Sequence, residues 1–447
     1  MTVSSVFLRI SSLAPRAFLL ALALVVSVGA AFGAVRENTM TGIFSPDIRT
    51  LTVGIEGDIL APPVLTLGSS DRLVIGFDAL KEERDYLRYS IYHCDADWRM
   101  SDLVDAEVFD GFNYADVEQY EFSRATAVHY VHYTITLPND AFTFRLSGNY
   151  LLQVYPEDNP DDILLQARFM VSEGVASVGG EVTSRTDREF NGSLQQLSLS
   201  VDLNRYPVRD IYNDLKINVS QNGRVDNVVR VSHPSRVAGS RAVYEHIPSL
   251  IFPAGNEYRR METVQMTYPG MGVESIDYHA PYYHHILTSA EPRHSRSYLY
   301  DSTQHGRFFV REYNSSESDV EADYSVVHFT LAMLPVPDMN IYIDGDLTYR
   351  HFDDSSRMRY DTEAGVYHKA MLLKQGAYNY QFLALPRQEE GRSTPPLNNG
   401  VAHPALTSEV EGDFYQTVNE YVVTVYYRAP GERYDRLLGY TLLFSGR

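Results

Sequence analysis

The chain has 447 residues, enough for two or three domains with cores of their own. Its formal net charge of −20 opposes binding to nucleic-acid phosphates or anionic lipid, and its single cysteine excludes an internal disulfide, so stability must come from packed cores. Lysine occurs only at Lys81, Lys216, Lys369 and Lys374, far fewer than the arginines, while the 33 tyrosines suit both β-strands and protein interfaces.

At the N-terminus, Arg9 and Arg16 precede the apolar run AFLLALALVVSVGAAFGA, which ends in small residues. This reads as a secretory signal peptide over residues 1–33, cleaved after Gly33 or Ala34. Its removal takes away two arginines and no acids, leaving a net charge of about −22 by the same counting. No later stretch is apolar for long enough to span a bilayer. A lipid anchor would need a cysteine at the cleavage site, and the only one is Cys94. The mature protein is expected to be exported and soluble, or held at a membrane by a partner.

Alternation with a period of two then dominates, as in NYLLQVY (149–155), ARFMVSE (167–173), LSLSVDL (197–203) and YVVTVYY (421–427). The stretch YLLQVYPEDNPDDILLQARFMV reads as a hairpin with an acidic, solvated tip, closing a first β domain over residues 40–173. The Gly- and Ser-rich EGVASVGGEVTSRTDREFNGS marks a boundary or an exposed connection. A second domain is expected over 176–318, with Asn222-Gly223 as a hairpin turn. After the acidic NSSESDVEAD, a third is expected over 322–447; there Lys374-Gln375-Gly376 reads as a tight turn in which Gly376 supplies a positive φ. Residues 387–412 form a Pro- and Gly-punctuated loop, long enough to be functional or disordered. The fold class expected is all-β: three immunoglobulin-like or early-set-like β-sandwiches in series after the signal peptide.

The stretch YSIYHCDADWRM (89–100) concentrates the single cysteine and the single tryptophan beside His93, Asp95 and Asp97. If Tyr89 to Cys94 is a strand, Cys94 and His93 point to opposite faces, which disfavours a local Cys-His nucleophile. A buried free cysteine acts instead as a small apolar residue. Asp95 and Asp97 fall at a turn, without the glycine and closing glutamate of a calcium loop, and Trp98 is expected to pack over that turn. His129 and His132 diverge along a strand, as do His284 and His285, so neither pair chelates, and no cysteines complete a zinc pattern. No P-loop, nucleophile elbow, dinucleotide fingerprint or H-E-x-x-H occurs. No catalytic, cofactor or metal residue is assigned, and no cofactor, nucleic acid or small-molecule substrate is expected.

The string YSIYHCDADWRMSDL, the Gly111-Phe112 pair, HYTITLPN and SGNYLLQVY resemble the type IX secretion system plug proteins of Bacteroidetes, long filed as a domain of unknown function. VSQNGRVDN, FPAGNEYRR, EADYSVVHFTL, LLKQGAYNYQF and EGDFYQTVNEYVVTVYYR continue the likeness over essentially the whole mature chain. The signature residues within these strings are His93, Cys94, Asp95, Asp97, Trp98, Ser147, Gly148, Asn149, Tyr150, Gln221 and Asn222. Further along the chain they are Lys374, Gln375, Gly376, Tyr378, Asn379, Tyr380, Asn419, Glu420 and Tyr421. The family attributes no chemistry to them, so they read as structural.

The resemblance implies a non-enzymatic periplasmic protein, peripheral to the outer membrane through its partner. It would dock on the periplasmic mouth of the translocon barrel and gate the channel, closing the pore when no export is under way. Exposed tyrosines, arginines and the 387–412 loop are candidates for that contact, and the sequence chooses none. The alternatives are a periplasmic glycan-binding sandwich protein or a secreted hydrolase with an unrecognised site. Residues 340–385 are similar to early-set sandwiches that include glycan-binding modules, but Tyr349 stands where such a module would carry a sugar-stacking tryptophan.

Overall fold

In the strand Val131–Leu137, Val131, Tyr133, Ile135 and Leu137 are buried and the residues between them half-exposed, the period of two expected of a sheet with one face on a core. Among the described residues the same rule recurs through a fold that is almost all β, with Asp105–Val108 and Ser318–Glu321 as single-turn helices. This computed structural model describes residues 39–387 and 404–446. The expected signal peptide and residues 388–403 of the expected loop lie outside them. Among the described residues no helix is long and apolar enough to cross a membrane.

Among the described residues six sheets enclose three large hydrophobic cores. Around the first core, one sheet runs Gly42–Ile43, Leu165–Ser172, Gly148–Pro156, Leu87–Cys94, Ala115–Asp116, and the other Ile48–Ile55, Leu73–Ala79, Val131–Leu137, Gln119–Phe122. Gly148–Pro156 and Leu165–Ser172 form the expected hairpin, with Val154 opposite Leu165 and exposed residues at its tip. Asn222 and Gly223 take φ of +53° and +69° and Arg224 N–H closes on the Gln221 carbonyl, a tight turn between Leu215–Gln221 and Val229–Val231.

The other two cores exchange strands across the boundaries expected at 176–318 and 322–447. Glu420–Tyr427 pairs with Leu215–Gln221, and with Arg436–Phe444 it completes the second core, although both strands belong to the span expected for the third. Conversely, Arg259–Glu262, Val273–His279 and Tyr282–Leu287 join the third core's sheets, with Met261, Val273 and Leu287 inside it. Alternation identifies a strand but not its partner, so chain order misassigned them. Two local expectations also change. Ser177–Thr183, read as a boundary or exposed connection, is an edge strand on Leu194–Asp202. Gly376 has no positive φ; a Cβ there would lie 2.5 Å from the Phe309 carbonyl oxygen, so glycine permits a close approach of two backbones where Lys374-Gln375-Gly376 carries the chain from one sheet to the other. From Met40 onward the chain forms one compact unit.

Candidate functional site

The strand Leu87–Cys94 lies beside Gly148–Pro156, and alternation sends His93 and Cys94 to opposite faces, both buried. Burial pushes the Cys94 thiol up to about 12, so no thiolate is available at neutral pH. The His93 ring stands edge-on to Tyr150 and Tyr434, with centroids 5.1 and 5.4 Å away. Its Nε2–H donates to the Ser147 carbonyl at 3.1 Å, because a carbonyl can only accept, and Nδ1 lies 2.9 Å from Ser101 Oγ. Burial lowers its pKa to about 4. Gly148, at φ +143°, passes under the ring, where a Cβ would sit 2.3 Å from Nε2.

Asp97 binds its neighbour Arg99, and Asp95 pairs with Arg428 at 2.7 Å, so both carboxylates weighed for calcium are engaged by guanidinium groups. Among the described residues no group of three or more His, Cys, Asp or Glu side chains is set to hold a metal ion. Trp98 sits within the turn itself. It is half-buried at φ +65°, and the Arg168 guanidinium lies 4.3 Å from its ring centroid, so the indole covers a cation.

These residues form a seam between the first and second cores. Ala96 enters a small apolar cluster with Val64, Tyr426 and Leu437. Asn149 donates to the Asp95 carbonyl at 2.9 Å and accepts from Tyr426 OH at 2.7 Å. Asp435 accepts from Ala96 N–H at 3.1 Å, Lys216 Nζ at 2.8 Å and Arg428 Nε at 2.9 Å. Burial raises the Asp435 carboxyl, and Arg428 and Lys216 outweigh it, holding the group below the ordinary carboxylate value.

A second seam joins the first core to the third. Asp78 Oδ2 receives Lys374 Nζ at 2.6 Å and the Tyr324 hydroxyl at 2.5 Å, and His132 Nδ1 lies 2.7 Å from Oδ1. Burial pushes the Asp78 carboxyl up, and Lys374 and His132 prevail and hold it below its ordinary value. Lys374 also donates to the Asp319 carbonyl at 2.6 Å and sits 4.1 Å from the centre of the Tyr130 ring. Asp323 and Gln375 exchange two hydrogen bonds of 2.8 Å, and Asp323 accepts from Ala127 and Val128 N–H. Tyr349 accepts from Leu51 N–H at 3.0 Å and packs against the first core, so this side chain serves the seam and does not offer the free ring face that stacking on a sugar requires.

The remaining signature residues cluster where the second core meets the third. Asn222 and Asn419 bond side chain to side chain at 2.7 Å, and Glu420 N–H donates to Asn222 Oδ1 at 2.9 Å. Gln221 donates to Tyr421 OH at 3.1 Å, and Asn419 donates to the Gln195 side chain at 2.9 Å. The Glu420 carboxylate pairs with Arg307, whose carbonyl accepts from Asn379 N–H at 3.0 Å. Tyr378 and Tyr380 are buried in the third core, and Tyr378 OH donates to the Lys374 carbonyl.

Asp78, Tyr324, Lys216, Arg428, Asp435 and Arg307 were not singled out from sequence. One signal was present: two of the four lysines, Lys216 and Lys374, occupy seams, and Lys374 ends the otherwise apolar AMLLK run. Of the histidines considered, His132 serves Asp78, His285 lies 3.1 Å from the Gln265 carbonyl, and His284 Nδ1 meets His328 Nε2 at 2.8 Å.

The sheets, cores and seams define a multi-sandwich β protein. Residues 48–173 match the family model described as type 9 secretion system plug protein 1st domain. The chain belongs to the type 9 secretion system plug protein family, which gives it a role in type 9 secretion as an envelope-associated component of that machinery. A crystal structure of a hypothetical protein from Parabacteroides merdae is 40% identical to it, covering 91% of this chain and 100% of that one at a TM-score of 0.86. A DNA-bound alkylpurine DNA glycosylase from Pseudomonas fluorescens reaches 13% identity over 28% of this chain and 30% of its own, at a TM-score of 0.16 that carries no likeness of fold. No curated protein matches the chain.

Proposed function

We propose that this protein is a non-enzymatic plug, which docks on the periplasmic mouth of the type 9 secretion translocon barrel and closes its pore while no cargo is engaged. The observation that carries this reading is the plug-family match over residues 48–173, the part of the chain whose core is tied to the third through the buried Asp78–Lys374 pair and to the second through the partly exposed Asp95–Arg428 pair. A channel wide enough for folded cargo leaks unless the body in its mouth keeps its shape under load, and fused sandwiches suit that task. Docking and release need no chemical step. The protonated Cys94 thiol and the committed Asp95 and Asp97 carboxylates support a structural use of the signature.

The test is uptake of a large antibiotic that ordinary porins exclude. Deleting the gene is expected to raise uptake, and deleting the translocon barrel as well is expected to abolish the increase, because a plug has no consequence without its pore. Equal uptake in wild type and single deletion, with the barrel expressed, would overturn the gating reading.

A further inference from the structure

The open end of the first sandwich carries a row of aromatic side chains in solvent. Tyr86 precedes the strand Leu87–Cys94 and is 66% exposed; Phe112 and Tyr114 lead into the edge strand Ala115–Asp116, with Phe112 78% exposed; Phe122 ends the edge strand Gln119–Phe122 of the facing sheet. The rings of Phe112 and Tyr114 stack at 6.0 Å, and the Arg88 guanidinium lies 5.5 Å from the Tyr114 centroid. Arg84 is held between two rings, 4.8 Å from that of Tyr86 and 4.2 Å from that of Tyr120, which in turn meets Phe122 edge-on.

Two features give this row a direction of charge. Among the described residues no carboxylate pairs with Arg84, and its Nε is buried without a hydrogen-bond acceptor, a state a guanidinium leaves readily when an acceptor arrives. On the other side of Tyr86 opens a cleft of about 480 Å³, walled by Asp47, Asp85, Glu157, Asp158 and Asp162. Lys81 is taken up by Asp85 and Asp47 at 2.7 and 3.7 Å and Arg88 pairs with Glu157 at 2.7 Å, so among the described residues Asp158 and Asp162 are the wall's acids without an ion pair. An acceptor-seeking arginine and an acidic cleft thus flank exposed aromatic anchors. Aromatics and arginine are the residues that carry most binding energy at protein interfaces.

We infer that this end of the first sandwich is the docking face for a polypeptide partner that presents a carboxylate to Arg84, a basic side chain to the acidic cleft, and apolar contacts to Tyr86, Phe112, Tyr114 and Phe122. The inference rests on the plug reading, under which that partner is the periplasmic rim of the translocon barrel. Charge on both sides of the anchors fixes the orientation of the plug in the mouth, and the unfilled Arg84 gives the contact a salt-sensitive component.

The experiment uses the full mature chain and detergent-solubilised barrel. Arg84→Glu combined with Phe112→Ser is expected to weaken binding about tenfold or more, the scale of a lost arginine or aromatic anchor. Leu334→Ser, an exposed apolar position on the third core, is expected to stay within about twofold of wild type. In cells, a photo-crosslinking phenylalanine analogue placed at position 86 or 114 is expected to trap the barrel, and the same analogue at position 334 is not; this arm removes no charge and stands if Arg84→Glu fails to fold. Wild-type binding left unchanged in the double variant, with no cross-links from 86 and 114, overturns this docking face and leaves the plug reading intact. Failure of the wild type to bind the barrel overturns both. Cross-links from 86 or 114 to a second copy of the chain also overturn the proposal and make the face a self-association surface.

Discussion

Lys374 and Asp78 meet with 1% of either side chain exposed, whereas Lys216 and Arg428, which share Asp435 at the other seam of the first sandwich, keep 45% and 35% of theirs in solvent. In the dry seam the charges have no water to fall back on and are matched by protein groups: Tyr324 and His132 complete Asp78, and the Asp319 carbonyl and the Tyr130 ring complete Lys374. In the wet seam the cations are solvated whether or not they pair, and the acid in the middle does the positioning by also holding Ala96 N–H. The same residue types therefore give two kinds of joint. One is sensitive to the loss of any single member, and the other tolerates loss and responds to salt.

The largest expected effect breaks the dry seam. Lys374→Ala leaves a buried carboxylate without its cation and is expected to cost about 3–5 kcal/mol, read as a shift of the urea midpoint at unchanged slope. Adding Asp78→Asn is expected to recover part of that loss, since the uncompensated charge goes with it; no recovery would mean that packing, and not charge, sets the cost.

Next in size is a difference in pH response. His93, beside the wet seam, has its pKa lowered to about 4 by burial, against roughly 6.5 in the unfolded chain. The unfolded chain therefore takes up the proton first, and stability is expected to fall as pH drops from about 6.5 to about 4, by on the order of 3 kcal/mol in total, and to level off below that. Asp78 is shifted in the same direction but in a lower window: its carboxyl is held below the ordinary value, so its contribution is intact above the unfolded carboxylate pKa and is lost only at still lower pH. His305, also lowered to about 4 by burial, adds to the slope in the same window. A series of urea midpoints between pH 4 and 7 should show His93→Gln flattening part of the decline; a variant with the wild-type slope would remove His93 from this account.

The smallest effect belongs to the exposed half of the wet seam. Lys216→Ala is expected to cost about 0–1 kcal/mol, shrinking further in high salt, because its ammonium stays solvated and Arg428 still pairs with Asp435. A loss as large as that of Lys374→Ala would erase the distinction between the two seams.

How far the sequence carried can be seen residue by residue. The strands at 131–137, 148–156, 165–172 and 420–427 were legible, because period-two alternation states directly which side chains face a core. The divergence of His93 and Cys94 followed from the same rule. Trp98 was not legible, since alternation ends at Cys94 and the left-handed turn that aims the indole at Arg168 has no period to read. Gly376 was picked out as a turn glycine, but the need for it lies in the Phe309 carbonyl, which is far away in sequence.

By itself, then, the sequence determined that the chain is a β protein, which faces of its strands are apolar, and, through motif strings, its kinship with the plug family. Tertiary structure alone decided which strands share a sheet, sending Glu420–Tyr427 to Leu215–Gln221 and leaving Arg259–Glu262 with the third core. It also decided that Lys374 would meet Asp78, 296 positions away. The reason is that a hydrophobic pattern is a local property of each strand, whereas a sheet partner or an ion pair is chosen by which distant surfaces fit when the cores close, and that choice leaves no periodic trace in the chain.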